Sequence, residues 1–240
     1  MKASLKPLIL INICILILFF ACSLPGVKGS GKVERENRTI GSFNELHVSG
    51  MFDVYMREGN TPSVEVVADD NLLPIIRTEL KGSRLKVYTD ENIRSSTKLK
   101  LLITYTELEA VDISGAVKLR GKSTIVADHF DINVSGAAEM ELDLKVDHLS
   151  CDLSGASDML LTGIANHLRI DGSGAMNLDA YELETSSAKI DLSGAGECKI
   201  SVNESLDVDL SGAATVRYKG SPAKIKQDIS GAGSIKRVGD

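Results

Sequence analysis

Large aromatic side chains are scarce in this 240-residue chain. It has no Trp, aromatic residues make up 4%, and Pro occurs only 5 times, whereas Gly reaches 21. This composition departs from that of an ordinary enzyme core and indicates a repetition of small residues instead. Hydrophobic residues at 43% and charged residues at 25% exclude a wholly disordered chain.

Only one long hydrophobic run occurs, and it is too short to span a bilayer. Residues Leu8–Ala21 are apolar apart from Asn12 and follow a positively charged start. A helix needs about 20 apolar residues to cross a membrane. The run therefore predicts an export signal over residues 1–21 rather than a membrane-spanning segment.

The residue after this signal, Cys22, follows Ala21 as in a bacterial lipoprotein signal, whose Cys is lipidated after cleavage. A plain secretory peptide cleaved near Gly29 or Ser30 is the alternative. Residues 22–38 are rich in Gly, Ser and Pro and predict a flexible tether. We therefore expect an exported protein, held as an outer-membrane lipoprotein on the periplasmic or cell-surface side.

Positive charge is in the minority. Lys and Arg number 27 against 33 Asp and Glu, which gives a net charge of −6. Nucleic acid and anionic lipid surfaces both attract clustered Lys and Arg, so neither is expected as a partner. Contact with a membrane is expected through the N-terminal lipid anchor only.

The most informative pattern is an internal repeat. The tripeptide Ser-Gly-Ala occurs seven times, and successive copies begin 18 to 21 residues apart. A period near 20 that tolerates small insertions is typical of a solenoid, in which each repeat forms one coil. The seven serines are Ser114, Ser135, Ser154, Ser173, Ser193, Ser211 and Ser230.

Alternating apolar and polar residues predict that each coil is made of β-strands. The residues three and one before each Ser are mostly apolar, and the residue between them is Asp or Asn. Because neighbouring side chains of a strand point to opposite faces, the apolar columns face inward and the acidic column faces outward. With no helical period, the coils of about 20 residues predict an all-β fold, a parallel β-helix over residues 106–240.

Residues 39–105 are predicted to form a divergent N-terminal β region. The segment Leu46–Gly50 and the apolar alternation after it repeat the strand, turn and strand of the coils. A short helical turn is expected around Pro74. We expect this region to continue the sheet and to cover the first end of the stack. Its further strands are expected over residues 63–68, 84–89 and 98–105.

These features resemble the putative auto-transporter adhesin, head GIN domain family, a domain of unknown function that is common in Bacteroidetes envelopes. The resemblance covers roughly residues 40–235 and implies an exported, β-helical domain. The family has no catalytic residues to carry over. The matching segments are Leu46-His47-Val48-Ser49-Gly50, Asp53-Val54, Leu85-Lys86-Val87 and the Asp-x-Ser-Gly-Ala repeats.

The outward acidic column is the sharpest candidate site. Stacked coils would place its members about 4.8 Å apart, beside the Ser-Gly-Ala turns. One interpretation is a Ca²⁺ groove, because hard cations take carboxylate oxygens. The other, which we favour, is that each side chain accepts a hydrogen bond from its own turn, as in an Asx turn. The column consists of Asp112, Asn133, Asp152, Asp171, Asp191, Asp209 and Asp228.

A second outward column contains His129, His148 and His167, spaced 19 residues apart. Stacked imidazoles about 5 Å apart could share a transition metal such as Zn²⁺, although an ordinary solvated surface is favoured. Asp128 and Asp147 adjoin the first two, but on an ideal strand each points to the opposite side. We expect no cofactor, with Ca²⁺ at the acidic column and Zn²⁺ at the His column as alternatives.

The repeated serines are not expected to be catalytic. Asp-x-Ser-Gly is similar to the nucleophile turn of serine hydrolases, but a nucleophile occurs once and this Ser occurs seven times. No His is expected in register with these serines. We predict a non-catalytic binding or adhesion module of the envelope or cell surface, whose partner is an envelope polysaccharide or another protein. A structural spacer without a ligand and an enzyme acting on polysaccharide are the alternatives.

Two cysteines remain inside the predicted domain. Cys151 and Cys198 fall in inward columns two coils apart. Two steps of about 4.8 Å exceed the limit of about 7 Å between the Cα atoms of a disulfide. Both are therefore predicted to be buried free thiols.

Overall fold

The computed structural model describes residues 26–239, so the predicted export signal over residues 1–21 and the predicted lipidation site Cys22 lie outside the described residues. The described residues form strands and one short 3₁₀ helix, Leu73–Ile75, close to the turn predicted around Pro74. None of their helices is long and apolar enough to cross a membrane.

The strands differ in length between the two parts of the chain. Those of the N-terminal region are β1 (Val27–Lys28), β2 (Val33–Thr39), β3 (Glu45–Glu58), β4 (Ser63–Asp69), β5 (Ile76–Lys81), β6 (Arg84–Thr89), β7 (Ile93–Ser95) and β8 (Leu99–Tyr105). Those of the repeat region are β9 (Ala110–Gly121), β10 (Ile125–Val134), β11 (Ala137–Leu153), β12 (Ala156–Gly172), β13 (Ala175–Leu192), β14 (Ala195–Leu210), β15 (Ala213–Lys219), β16 (Lys224–Ile229) and β17 (Ser234–Arg237).

The repeat region is a parallel β-solenoid of about seven turns of about 19 residues each. Each long strand pairs in parallel with the strand one turn later, as β11 does with β12 and β12 with β13. The pairing keeps the sequence columns in register, so that Asp152 lies opposite Asp171, and Asp171 lies opposite Asp191. The predicted all-β parallel β-helix is therefore confirmed.

Apolar alternation fills the inside of the solenoid. The inward residues three positions before each Ser are fully buried in six coils. Each large apolar side chain that is removed from water stabilises the fold by about 1.5–3 kcal/mol. Cys151 and Cys198 are buried free thiols, as predicted. Burial raises the pKa of both thiols, to about 12 for Cys198. The six buried residues are Val111, Ile132, Cys151, Ile170, Ile190 and Val208.

The Ser-Gly-Ala tripeptide forms a tight corner of each coil. In the third copy the exposed Ser154 and Ala156 flank Gly155. The residue before Ser154 and the residue after Ala156 are both buried. A Cβ on Gly155 would lie 1.8 Å from the carbonyl oxygen of Gly136 in the preceding coil, and a Cβ on Gly174 would meet Gly155 in the same way. Glycine is required here because stacked backbones approach closely.

The N-terminal region continues this sheet. Strand β3 pairs in parallel with β9, which places His47 opposite Asp112 and Ser49 opposite Ser114. The other edge of β3 pairs with β6 along its first half and with β8 along its second half. Strand β4 then pairs antiparallel with β8, and β2 antiparallel with β4. The divergent β region that the sequence predicts therefore closes the first end of the stack.

Part of the segment predicted to be a tether is folded into strands, β2 in this sheet and β1 in a separate two-stranded sheet. Within residues 22–38, strand β1 pairs with β7 and strand β2 pairs with β4, so the tether prediction is wrong from Val27 onward. The side chains of β2 are nearly all exposed, because it lies at the edge of the sheet. Such a strand has no apolar alternation, and its sequence therefore resembles a linker.

Candidate functional site

A groove of about 840 Å³ follows the acidic column across successive coils. His47 and Arg84 line it together with the acidic and Ser columns. Asp228 is not among the lining residues, although it lies opposite Asp209 on the exposed strand β16. The acidic column contributes Asp112, Asn133, Asp152, Asp171, Asp191 and Asp209, and the Ser column contributes Ser114, Ser135, Ser154, Ser173, Ser193 and Ser211. We call this surface the acidic groove.

The serine amides do not bond to the acidic side chains. In an Asx turn the amide two residues after the Asp, here that of the Ser, would donate to the carboxylate. The amide of Ser154 instead donates to the carbonyl oxygen of Val134 at 2.8 Å, and that of Ser173 donates to Leu153 at 2.9 Å. The Asx turn is therefore a wrong prediction at these coils, because hydrogen bonds between coils take the amides that it needs.

Three carboxylates of the acidic groove have charged or polar partners. Asp112 accepts a hydrogen bond of 2.7 Å from the Asn133 amide and lies 3.6 Å from the Arg84 guanidinium. Asp171 pairs with Arg169 at 2.7 Å, and Asp191 pairs with Lys189 at 3.7 Å. These contacts offset the repulsion along the column.

Two further carboxylates are available to a ligand. The exposed Asp152 and Asp209 form no ion pair with any of the described residues. Nor does the acidic column, within residues 26–239, bring three carboxylates together within 4.8 Å. Ca²⁺ takes 6–8 oxygen ligands, so this geometry favours a row of separate hydrogen-bond acceptors over a calcium cage.

His47 lines the acidic groove although it lies outside the seven Ser-Gly-Ala repeats, and the sequence analysis did not assign it to the acidic column. It takes the acidic position in β3, between Asp112 of β9 and Lys86 of β6, with its Nδ1 atom 3.9 Å from Asp112 Oδ2. Burial lowers the pKa of His47. The carboxylate of Asp112 raises this pKa, whereas the positive charges of Lys86 and Arg84 lower it further. His47 is thus in register with the acidic column and not with the serines, whose partner in β3 is Ser49. The match of Leu46–Gly50 to the repeat was the sequence feature that could have placed His47 in this column.

The His column lies outside the acidic groove, on the same outward side of the strands and four residues before the acidic column. His129, His148 and His167 are in register across β10, β11 and β12 and are exposed. The ring centroids of neighbouring members are 4.6 Å apart, with interplanar angles of 3° and 33°. The sequence therefore predicted their stacking correctly.

Asp147 joins this column, which an ideal strand would not allow. Val146 and Leu149 are buried, whereas both Asp147 and His148 face outward, and the strand register passes over Asp147. The chain therefore bends here. Asp147 Oδ2 lies 3.0 Å from His148 Nδ1, and the Asn166 amide donates to Asp147 Oδ1 at 2.7 Å. This hydrogen bond, aided by the nearby imidazoles, lowers the pKa of Asp147.

Solved structures share this fold. A putative adhesin from Bacteroides fragilis NCTC 9343 is 23% identical with a TM-score of 0.81, over 89% of this chain and 100% of that chain. A putative adhesin from Parabacteroides distasonis ATCC 8503 is 25% identical with a TM-score of 0.71, over 88% and 99%. A putative lipid binding protein from the same strain is 22% identical with a TM-score of 0.71, over 88% and 99%.

Sequence comparison gives the family. No curated protein matches the chain. Residues 42–222 match the family described as putative auto-transporter adhesin, head GIN domain, which confirms the resemblance drawn from the repeats. Because this match covers most of the sequence, the chain belongs to the putative auto-transporter adhesin, head GIN domain family.

Proposed function

We propose that the protein is a non-catalytic binding module of the bacterial cell envelope that holds an extended polymer along the acidic groove. The observation that carries the proposal is repetition. Six coils each contribute an Asp or Asn and a Ser, in register, to one groove. Equal groups at the spacing of one coil suit a ligand of repeated units better than one compact substrate. The family description and the structures described as adhesins support a binding role.

The chemistry of the acidic groove favours a ligand that donates hydrogen bonds. Carboxylates only accept, and the hydroxyl of Ser154 lies 3.2 Å from the carbonyl of Val134, which leaves its own oxygen to accept. Anionic polymers would meet the repulsion of the acidic column. We therefore favour a neutral envelope polysaccharide, whose hydroxyl groups donate, and keep another protein as the alternative. The polar lining suits a lipid chain less well, although one structural relative is described as a lipid binding protein.

Two features support a binding role over catalysis. The coils repeat the same groups, whereas an active site combines an acid, a base and a nucleophile in unlike roles. His47, which lines the acidic groove, has its Nδ1 atom 3.9 Å from Asp112 Oδ2. This distance is longer than a hydrogen bond, so the two side chains do not form the hydrogen-bonded pair that orients a catalytic base.

The proposal includes export and a lipid anchor at Cys22. The support is the apolar run that ends in Ala21-Cys22. Metabolic labelling of cells with a fatty-acid analogue should mark the chain, and Cys22→Ala should abolish the label and release the protein from the membrane fraction. An unlabelled wild-type chain would instead support the plain secretory peptide.

Thermal unfolding of the full chain, in detergent, tests the groove. The panel contains neutral envelope oligosaccharides, Ca²⁺ and a chelator. A ligand at 100 times its Kd stabilises by about 2.7 kcal/mol, which raises the midpoint by roughly 5–10 °C for a chain of this size. We expect such a shift with at least one oligosaccharide. A flat panel would contradict the polysaccharide proposal and leave a protein partner or the spacer, whereas a shift with Ca²⁺ alone would support the calcium interpretation.

Matched variants locate the binding surface. Asp152→Asn with Asp209→Asn removes two charges from the acidic groove, and Asp158→Asn with Glu184→Gln removes two exposed charges elsewhere on the stack. The oligosaccharide shift should fall at least by half in the first double variant and stay unchanged in the second. Equal losses in both would show that general charge, and not the groove, governs binding.

A further inference from the structure

We propose that Asp147, His148 and His167 form a surface site for a transition-metal dication of the Zn²⁺ class. Their ligand atoms, one carboxylate oxygen and two imidazole nitrogens, lie within 4.8 Å of one another. Among the residues that the structure describes, no other set of three His, Cys, Asp or Glu side chains meets this condition. The site lies outside the acidic groove, whose lining contains none of these three residues, and the inference does not rest on the polymer-binding function.

The geometry is close to that of a bound ion. Zn²⁺ binds nitrogen and oxygen at about 2.0–2.2 Å, so that two ligands of a tetrahedral site are about 3.3 Å apart. Asp147 Oδ2 and His148 Nδ1 are 3.0 Å apart. His148 and His167 are exposed, and their rings are tilted by 33° to each other. Because the His148 side chain is exposed and His167 is held by Ser187, we expect rotation of the His148 imidazole to close the remaining distance.

Neighbouring polar groups orient the ligands. The Asn166 amide donates to Asp147 Oδ1 at 2.7 Å, which leaves Oδ2 directed at His148. His167 Nδ1 lies 2.8 Å from the Ser187 hydroxyl, which leaves its Nε2 free. Metal-ligating His residues usually bond to an oxygen through their second ring nitrogen, and ligating carboxylates are usually hydrogen-bonded. Both arrangements are already present.

The donor set selects the class of metal. Imidazole nitrogen suits Zn²⁺, Cu²⁺ and Ni²⁺, whereas Ca²⁺ and Mg²⁺ prefer oxygen alone. Three protein ligands leave at least one coordination position open to water or to an oxygen of a partner. Beside Asp147 lies a concave surface of about 900 Å³, which the exposed Val126 and Ile164 line together with Lys145. Glu107, Glu109, Asp128 and Asp131 line the same surface, and their negative charge favours a cation at Asp147 over an anionic partner.

The preceding coil provides matched controls. His129 stacks on His148 at 4.6 Å with nearly parallel rings, but it is not part of the cluster. Asp128 precedes it in the chain, as Asp147 precedes His148, and is also outside the cluster. A variant of either residue therefore changes the same side-chain type in the same kind of position without removing a proposed ligand.

Calorimetric titration of the metal-free full chain with Zn²⁺ tests the site. We expect saturable binding of one ion per chain that Asp147→Asn, His148→Ala or His167→Ala weakens by about tenfold or more. His129→Ala and Asp128→Asn should change the affinity by less than about threefold. Circular dichroism should show unchanged strand content in every variant, since all five side chains are at the surface. Absence of saturable binding, or an equal loss in the control variants, would overturn the proposal.

Nuclear magnetic resonance of the His rings gives a second readout. Addition of Zn²⁺ should shift the ring nitrogen signals of His148 and His167, and leave those of His47 in the acidic groove unchanged. Shifts confined to His129, or spread equally over all four His residues, would contradict the assignment of ligands.

Discussion

The repeat stack and the N-terminal region share one sheet, yet different interactions hold them together. In the stack, every coil repeats the same backbone hydrogen bonds and the same glycine contact with its neighbour. The N-terminal strands also pair through their backbones, but here single side chains add contacts that occur once. The Arg38 guanidinium, for example, donates to the carbonyl oxygens of Ile76 and Leu73 and to the Thr78 hydroxyl.

A second such side chain is Asp69. This fully buried carboxylate accepts hydrogen bonds from the amides of Gly31, at 3.1 Å, and Thr97, at 2.7 Å. It thereby ties the loop after β1 to the loop before β8. Because the strands of the stack are in register, a surface group can recur from coil to coil. The N-terminal region instead closes the first end of the stack with contacts that occur once.

The largest expected effect comes from the glycine contact of the stack. Gly155→Ala places a methyl group against the backbone of Gly136 and should destabilise the chain by about 4 kcal/mol or more. Gly41→Ala is the control in the N-terminal region, where the new methyl meets only the end of the Leu80 side chain, and should cost less than about 1 kcal/mol. Denaturant unfolding of the full chain measures both, and similar losses would refute the proposed difference.

A smaller, local effect is expected at Asp69. Asp69→Ala leaves the Gly31 and Thr97 amides without their acceptor, at a cost of about 2–3 kcal/mol. Hydrogen exchange should accelerate in β1, β2 and β7 and stay slow in β11 to β13. Asp69→Asn, which keeps one acceptor oxygen, should recover part of the loss. Faster exchange throughout the stack would mean that the two regions unfold as one unit.

The thiols of the stack should be unreactive in the folded chain. Burial raises the pKa of Cys198 to about 12 and raises that of Cys151 as well, so almost no thiolate is present at pH 8. Iodoacetamide labelling followed by peptide mass spectrometry should leave both unmodified until the chain is unfolded. Rapid labelling of either in the native chain would contradict its inward position.

The smallest effect concerns His47, where the two regions meet. Burial lowers its pKa below the ordinary value of about 6.5, so the unfolded chain takes up this proton first as the pH falls. Stability should therefore decrease between pH 7 and pH 5, and His47→Gln should make that decrease shallower. Unfolding curves at half-unit pH steps measure it, and an unchanged slope in the variant would contradict the pKa direction.

The features that were predictable from sequence are those that repeat. The coil register, the buried columns, the free thiols and the stacked His rings follow from a period near 20 and from strand alternation. Features that occur where the strand is irregular were not predictable. Asp147 joins His148 because the chain bends between Val146 and Leu149, and alternation alone places it on the wrong side.

Competition for backbone groups explains another error. An isolated Asp-x-Ser sequence favours an Asx turn, but in the stack the Ser amide is bonded to the coil before it. Strand β2 was assigned to the tether for a related reason. Its pairing with β4 is a backbone ladder, and its exposed polar side chains do not reveal that pairing.

Hydrogen exchange with and without bound oligosaccharide tests the central claim most directly. The probe is the panel oligosaccharide that gives the largest thermal shift on the full chain. Binding along the acidic groove predicts slower exchange on consecutive coils, at residues 133–136, 152–155 and 171–174, and unchanged exchange at residues 146–149 near the His column. Protection confined to one coil, or to the N-terminal strands, would contradict a polymer site that extends along the stack.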